Sequence, residues 1–377
     1  MVDKRRFKDV EVSLLGLGTM RLPCETEQKR ESNPNIDYEK AQKLVDLAYK
    51  NGVNYYDTAY MYHCGKSEKF IGQALKKYPR NTYFIADKLP IWMCDTKEDM
   101  QRIFANQLER TGIEYFDFYL LHSLDKENFE KCEELGAYDF IKQKQKEGKI
   151  KYIGFSFHGT VDDLRHIVSA HDWNFAQIQM NYLDWKNQNA KMQYQILEDA
   201  DIPTIVMEPV RGGKLALVNN EIKDMFKSKK PNMSVASWAM GFVASHKNII
   251  SILSGMNSEE QMLDNLSTLT DFKAFGDDEY STCFKAASIL NKSEVIGCTG
   301  CDYCQPCPKG IKISSFFSLY NSVVSGDVNI QQGREVYDSF AVNPTACAWC
   351  NKCKNHCPQS ISVPDVLEGK VIKLFMR

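Results

Sequence analysis

The sequence predicts a (β/α)8 barrel over residues 1–272, followed over 273–377 by a small, mainly helical domain built on two cysteine-rich sites. Three observations carry this. Short β-like runs alternate with amphipathic helical runs over roughly 265 residues, close to the ~250 of a (β/α)8 barrel. Beyond that point the composition turns polar and helix-prone. Eight of the thirteen cysteines then fall in two tight groups.

The strands are expected near 14–18 (LLGLG), 53–57 (VNYYD), 82–86 (TYFIA), 116–121 (FDFYLL), 151–155 (KYIGF), 175–180 (FAQIQM), 203–207 (PTIVM) and 249–253 (IISIL). Between them, YEKAQKLVDLAYKNG (38–52) repeats apolar residues at three- and four-residue spacing and ends in Gly52, a helix with its stop signal. KEDMQRIFANQLERTG (97–112) does the same and closes on Gly112. A doubly wound open sheet would show the same alternation and is the alternative fold. The domain boundary is placed within 271–295, in the polar stretch FKAFGDDEYSTCFKAASILNKS.

Of 377 residues, 43% are hydrophobic, and 49 acidic residues nearly balance 47 basic ones. That balance gives no electrostatic reason to expect nucleic acid or an anionic membrane as a partner. No apolar run approaches the ~20 residues of a membrane helix. The charged start, MVDKRRFKDVEV, lacks the apolar segment of a secretory signal. An odd cysteine count in such a chain points to reduced thiols in the cytoplasm, with the grouped ones binding metal.

The first group, GCTGCDYCQPCPKGI, holds Cys298, Cys301, Cys304 and Cys307, then Pro308. The second, ACAWCNKCKNHCPQSI, holds Cys347, Cys350, Cys353 and Cys357, then Pro358. The first three cysteines of each group are offset by 49 residues, so the groups form an internal repeat. Two-residue gaps let three thiolates converge from one loop, while a fourth Cys before Pro leaves that loop. Zinc is the competing metal, but its four-Cys sites pair two distant knuckles. The spacing favours two [4Fe–4S] clusters. Residues 295–365 resemble the two-cluster bacterial ferredoxins. The second group matches their run in full, and the first is one residue shorter between Cys304 and Cys307. The resemblance implies that the fourth Cys of each run serves the other cluster. One cluster would then take Cys298, Cys301, Cys304 and Cys357, the other Cys347, Cys350, Cys353 and Cys307.

In the barrel, DTAYMYHCGKSEKFIGQAL (57–75) carries a Gly-Lys-Ser, but Tyr60 stands where a phosphate-binding loop needs its first glycine. Three consecutive strands end in ionisable residues: Asp57, then Lys88, then His122, with Tyr62 in the loop over the same mouth. Barrel active sites lie at those strand ends. Singly, Lys88 could be a solvated loop charge, His122 a satisfied strand-end histidine and Tyr62 a packing tyrosine. Together they define a site. A Lys ammonium beside a phenol favours the phenolate and lowers the Tyr pKa from its usual ~10. A carboxylate holds the Lys, and a His can hydrogen-bond a substrate oxygen. Such a Tyr can donate a proton to a developing alkoxide, which suits carbonyl reduction by hydride from a nicotinamide.

Residues 8–268 resemble the aldo-keto reductases in SLLGLGTMRLP, DTAYMYHCGKSEKFIGQAL, KLP at 88–90, DFYLLH at 117–122, IGFS at 153–156 and QIQMNY at 177–182. The resemblance implies a barrel that binds NAD(H) or NADP(H) without a Rossmann fold. Arg21 indeed stands where a dinucleotide fingerprint has its third Gly. It implies Tyr62 as general acid, Asp57 and Lys88 as its tuners, and His122 as the carbonyl-orienting donor. Ser156 and Gln177 fall where the family holds the nicotinamide carboxamide, and Met207 where many members stack a Tyr. Phe157 replaces a common Asn. The family's phosphate-clamping Lys and Arg correspond to Gly255 and Gln261, with Asn265 retained, which weakens the case for NADP. Arg21 and Arg211 are the nearby cations that could substitute, and Arg211 sits in a Gly-rich turn suited to a pyrophosphate.

The whole chain is therefore expected to be an oxidoreductase acting on a small carbonyl or alcohol substrate and carrying two clusters. Two alternatives stand beside it: an electron-transfer enzyme with a ferredoxin or flavin partner, and a redox sensor whose barrel binds a ligand. A nicotinamide gives two electrons as hydride and a cluster takes one, so the electron-transfer reading needs a flavin, for which the sequence has no motif.

Overall fold

The computed structural model describes residues 1–25, 35–292 and 294–376. The chain divides into two compact units, Met1–Arg211 with Leu215–Ala287, and Gly212–Lys214 with Ser288–Arg377.

The first unit opens with a hairpin of β1 (Lys4–Phe7) and β2 (Val10–Ser13). Eight parallel strands follow: β3 (Leu15–Gly18), β4 (Tyr55–Asp57), β5 (Phe84–Leu89), β6 (Phe116–Leu124), β7 (Ile150–Phe157), β8 (Phe175–Gln179), β9 (Thr204–Met207) and β10 (Ile249–Ser254). They pair in sequence order and β10 closes on β3, giving a closed eight-stranded barrel. Each lies on or within three residues of an expected run. The open-sheet alternative is excluded by the β10–β3 pairing.

Helices cover the barrel where the periodicity put them. α1 (Tyr38–Lys50) is capped by Asp37, whose side chain accepts from the Lys40 N–H, and Gly52 turns the chain at φ +89°. α2 (Lys66–Leu75) follows β4, and α3 (Lys97–Thr111) follows β5. α3 starts in a reciprocal Thr96–Asp99 capping box and stops at Gly112 in the left-handed conformation. Gly72 lets α2 lie against the end of α3, since a Cβ there would sit 1.9 Å from the Thr111 carbonyl oxygen.

The barrel interior is packed by Tyr55, Ala86, Phe118, Leu120, Phe175 and Ile205, with Phe7 and Val12 of the hairpin in the same cluster. The Phe7 ring stands 5.3 Å from Phe118 and 4.9 Å from Tyr152. Arg5 anchors the hairpin by donating to the His246 carbonyl at 2.7 Å. The hairpin was not foreseen, because Phe7, Val10 and Val12 are its apolar contacts with the core and the rest reads as a charged terminus. Among the described residues no helix is long and apolar enough to cross a membrane.

The second unit is helical, with the principal helices Ile313–Val324 and Ile330–Asp338 lying between the two cysteine loops in sequence. Its core of Ile311, Phe316, Phe317, Tyr337, Val371 and Phe375 has Cys298, Cys304, Cys307, Cys347 and Cys353 packed against it.

Candidate active site

Strand alternation fixes which residues enter the lumen. Tyr55 is in the barrel core, so Asp57 shares its face; Phe118 and Leu120 are in the core, so His122 follows; Ala86 puts Lys88 inward, and Phe175 does so for Gln177. The β5–β6 register pairs Lys88 with Leu120. The residues read from the strand ends therefore converge on one mouth.

Lys88 is completely buried. Its Nζ donates to Asp57 Oδ1 at 2.7 Å and to the Thr58 carbonyl at 2.7 Å, and lies 4.9 Å from the centre of the Tyr62 ring. His122 is buried, its ring 6.4 Å from that of Tyr62 and 5.0 Å from that of Trp92. Burial raises the Asp57 carboxyl against the lowering pull of Lys88. Removing the ammonium leaves a buried carboxylate unpaired. Lys88→Met is therefore expected to cost about 3–5 kcal/mol of stability as well as activity. A denaturant midpoint equal to that of wild type would contradict the pairing.

Tyr62 starts a single turn, Tyr62–Gly65, in which His63 and Cys64 take φ values of +49° and +53° and Gly65 takes +82°. Left-handed backbone costs non-glycine residues about 1–2 kcal/mol each, so something must hold it. His63 does: its Nε2 accepts from the Leu22 N–H at 3.3 Å, and Cys24 Sγ lies 4.0 Å from its Nδ1. The Gly-Lys-Ser that mimics a phosphate loop begins α2 instead. Ser67 is buried, its hydroxyl 2.9 Å from that of Thr58 and donating to Thr19 Oγ1 at 2.6 Å.

His158, at the end of β7, is a second histidine of this region that the sequence reading passed over. Burial pushes it down to about 4. His122 is held well below its ordinary value by burial first, then by the Lys88 ammonium and His158. Both are neutral in the folded chain, whereas the unfolded chain protonates them below about 6.5. Between that value and about 4 the unfolded state binds more protons. Stability is thus full above the window and falls as pH drops through it, by up to about 1.4 kcal/mol per pH unit for buried His122 and less for half-buried His158. Urea unfolding across this window should show a falling midpoint.

The expected cofactor residues line β7, β8, β9 and the β10 end. Ser156 is buried, and its Oγ accepts from the Ser123 N–H at 2.7 Å. Gln177 Nε2 lies 3.5 Å from Met207 Sδ, and its buried Oε1 has no hydrogen-bond partner among the described residues. Such an acceptor, next to a thioether that can pack on a ring, fits a nicotinamide carboxamide. Asn265 is turned inward, donating to Ser254 Oγ at 2.9 Å. Gln261 is exposed and accepts from the Asn257 N–H at 3.0 Å. Gly255 lies close against Arg21, whose Cβ would stand only 3.3 Å from a Cβ at Gly255.

The two nearby cations are engaged. Arg21 pairs with Glu208 at 2.9 Å, and Arg211 with Asp184 at 3.2 Å. Asp184 is fully buried and also accepts from Asn181 at 2.6 Å and Gln179 at 2.7 Å. Arg211, assigned from its Gly-rich turn to a pyrophosphate, is thus tied to a buried carboxylate. Asp184 itself carried no motif in the sequence.

In the second unit, a cavity is lined by Cys304 and Cys307 of the first run and by Cys347, Cys350 and Cys353 of the second. Cys357 lies within electrostatic reach of Cys298 and Cys304, and Cys304 within reach of Cys301 as well. Among the described residues no three His, Cys, Asp or Glu side chains are grouped to hold one metal ion. A tetrahedral zinc would need its thiolates about 3.8 Å apart.

Fold and site together define a barrel oxidoreductase. Residues 14–287 match the aldo/keto reductase family, and the chain belongs to it. An NADH-specific methylglyoxal reductase of Escherichia coli is 26% identical over 304 residues, 69% of this chain and 91% of that protein. An aldo-keto reductase of Gibberella moniliformis is 32% identical over 163 residues, which span 41% of this chain and only 46% of that relative. The crystal structure of a Klebsiella pneumoniae aldo-keto reductase in complex with NADPH superposes with a TM-score of 0.60, covering 76% of this chain and 95% of that one. At 21% identity that likeness concerns the fold.

Proposed function

We propose that the barrel reduces an aldehyde or ketone with NADH or NADPH, with Tyr62 as general acid, and that the C-terminal region from about residue 273 is a ferredoxin-like domain holding two [4Fe–4S] clusters. The observation that carries the first part is Lys88, fully buried between Asp57 and the Tyr62 ring. A buried ammonium at that distance stabilises the phenolate left when Tyr62 gives its proton to the developing alkoxide. Asp57 keeps Lys88 oriented and partly offsets its charge. Neutral His122 orients the carbonyl oxygen by a hydrogen bond and adds no competing positive charge. Trp92, beside His122, forms an apolar wall that suits a compact carbonyl substrate. A bound nicotinamide supplies the hydride. Ser156 and Gln177 would hold its carboxamide, and the Met207 thioether would lie beside its ring.

In the second unit Cys298, Cys301, Cys304 and Cys357 are assigned to one cluster and Cys347, Cys350, Cys353 and Cys307 to the other. The cavity between Cys307 and the second run supports this crossing. Such clusters supply one-electron chemistry when bound. The retained Asp57–Lys88–Tyr62–His122 group favours a working reductase over a ligand-binding sensor. An anaerobic NADH and NADPH oxidation screen across aldehydes and ketones tests the whole reading. Turnover that requires a carbonyl supports it, and none with either cofactor overturns it.

Cofactor choice follows from charge. A 2′-phosphate needs an Arg or Lys fork. Gln261 and Gly255 supply none, while Arg21 and Arg211 are held by Glu208 and Asp184. NADH is therefore expected to bind at least as well as NADPH. Gln261→Arg should shift preference toward NADPH by about 1–3 kcal/mol. Titration of both cofactors checks this, and a strong native preference for NADPH would contradict it.

A further inference from the structure

Behind the site, on the opposite face of β5 from Lys88, lies a second pair of carboxyl groups that the mechanism does not use. Asp87 and Glu68 are both fully buried. Asp87 Oδ1 accepts from the Lys88 N–H at 2.8 Å, and Glu68 Oε2 accepts from Arg110 at 2.8 Å. Each carboxyl then has one buried oxygen, Asp87 Oδ2 and Glu68 Oε1, with no donor among the described residues. The neutral Gln107 amide comes within reach of the Glu68 carboxyl. From α3, Gln107 donates to the Lys88 carbonyl at 2.9 Å and accepts from Tyr119 of β6 at 2.5 Å. The two carboxyls lie within hydrogen-bonding reach of each other, two buried charges there would be prohibitive, and one shared proton removes the conflict.

Charge counting agrees. The connected group holds three carboxyls, Asp57, Glu68 and Asp87, and two cations, Lys88 and Arg110. One bound proton makes it neutral.

We propose that Glu68 and Asp87 share a single proton that rests on Asp87, leaving Glu68 as the anion for Arg110, and that Asp87 is thereby a positioning residue which holds the Lys88 backbone without adding a second negative charge next to its ammonium. Burial and the neighbouring Glu68 both push the Asp87 carboxyl well above its ordinary range, and burial raises Glu68 as well. The consequence is that Lys88 spends its charge on Asp57 and Tyr62 alone.

Two readouts test this. Infrared spectroscopy of the wild-type protein at mildly alkaline pH should show a carboxylic-acid carbonyl band, shifted in deuterated water and absent in D87N. This readout does not depend on the proposed reductase mechanism. In the pH profile of carbonyl reduction, E68Q forces the negative charge onto Asp87 beside Lys88, so the alkaline limb should move to higher pH. D87N keeps the anion at Glu68, so its limb should stay where wild type has it. Absence of the infrared band, or limbs that move together in both variants, overturns the shared proton. If Tyr62→Phe keeps full turnover while the band is present, the reductase mechanism fails and the proton pair stands.

Discussion

Tyr62→Phe is expected to lower carbonyl reduction by about 10²–10⁴-fold while leaving nicotinamide affinity nearly unchanged. The phenol oxygen acts when the alkoxide develops and has no role toward the bound cofactor, so its loss falls on the transition state alone. The ring that remains still packs over Lys88 and beside His122, so the site should keep its shape. Cofactor titration by fluorescence and steady-state kinetics separate the two effects. Full turnover in Tyr62→Phe would remove the general-acid assignment. Equal losses of turnover and cofactor binding would show instead that the turn Tyr62–Gly65 had collapsed.

The second large effect concerns iron. Anaerobically purified protein is expected to contain about eight irons per chain, as two four-iron clusters. Because each run lends its fourth thiolate to the other, Cys357→Ser should damage the cluster held chiefly by Cys298, Cys301 and Cys304. About four irons should then remain. Stoichiometric zinc without visible absorption would contradict the assignment. Loss of the cluster held by Cys347, Cys350 and Cys353 in that variant would contradict the crossing.

Much of the barrel was legible because its strands are short apolar runs bounded by glycine and polar turns, and because two of its helices end on their stop glycines, Gly52 and Gly112. The Asp57, Lys88 and His122 convergence was legible for a different reason: strand ends in a barrel share one face, and alternation decides which side chains enter. What spacing could not show was pairing at long range. Arg21 and Glu208 are 187 residues apart, and nothing local in either tells that they meet. Asp184 sits in an ordinary-looking polar segment, yet burial and three polar partners make it the anchor for Arg211. The left-handed His63–Cys64 turn was invisible because such backbone in non-glycine residues is imposed by tertiary contacts, here the His63–Leu22 hydrogen bond. Nothing in the spacing of Glu68 and Asp87 marks them as a pair. Only the packing of α2 and α3 on β5 buries them together.

The central claim is direct hydride transfer in the barrel, and isotope transfer tests it most directly. NADH deuterated at the hydride-donating carbon is incubated anaerobically with the protein and a small aldehyde. The account predicts deuterium on the carbonyl carbon of the alcohol product. An alcohol formed without deuterium, with the electrons passing instead through the iron–sulfur region, would contradict it.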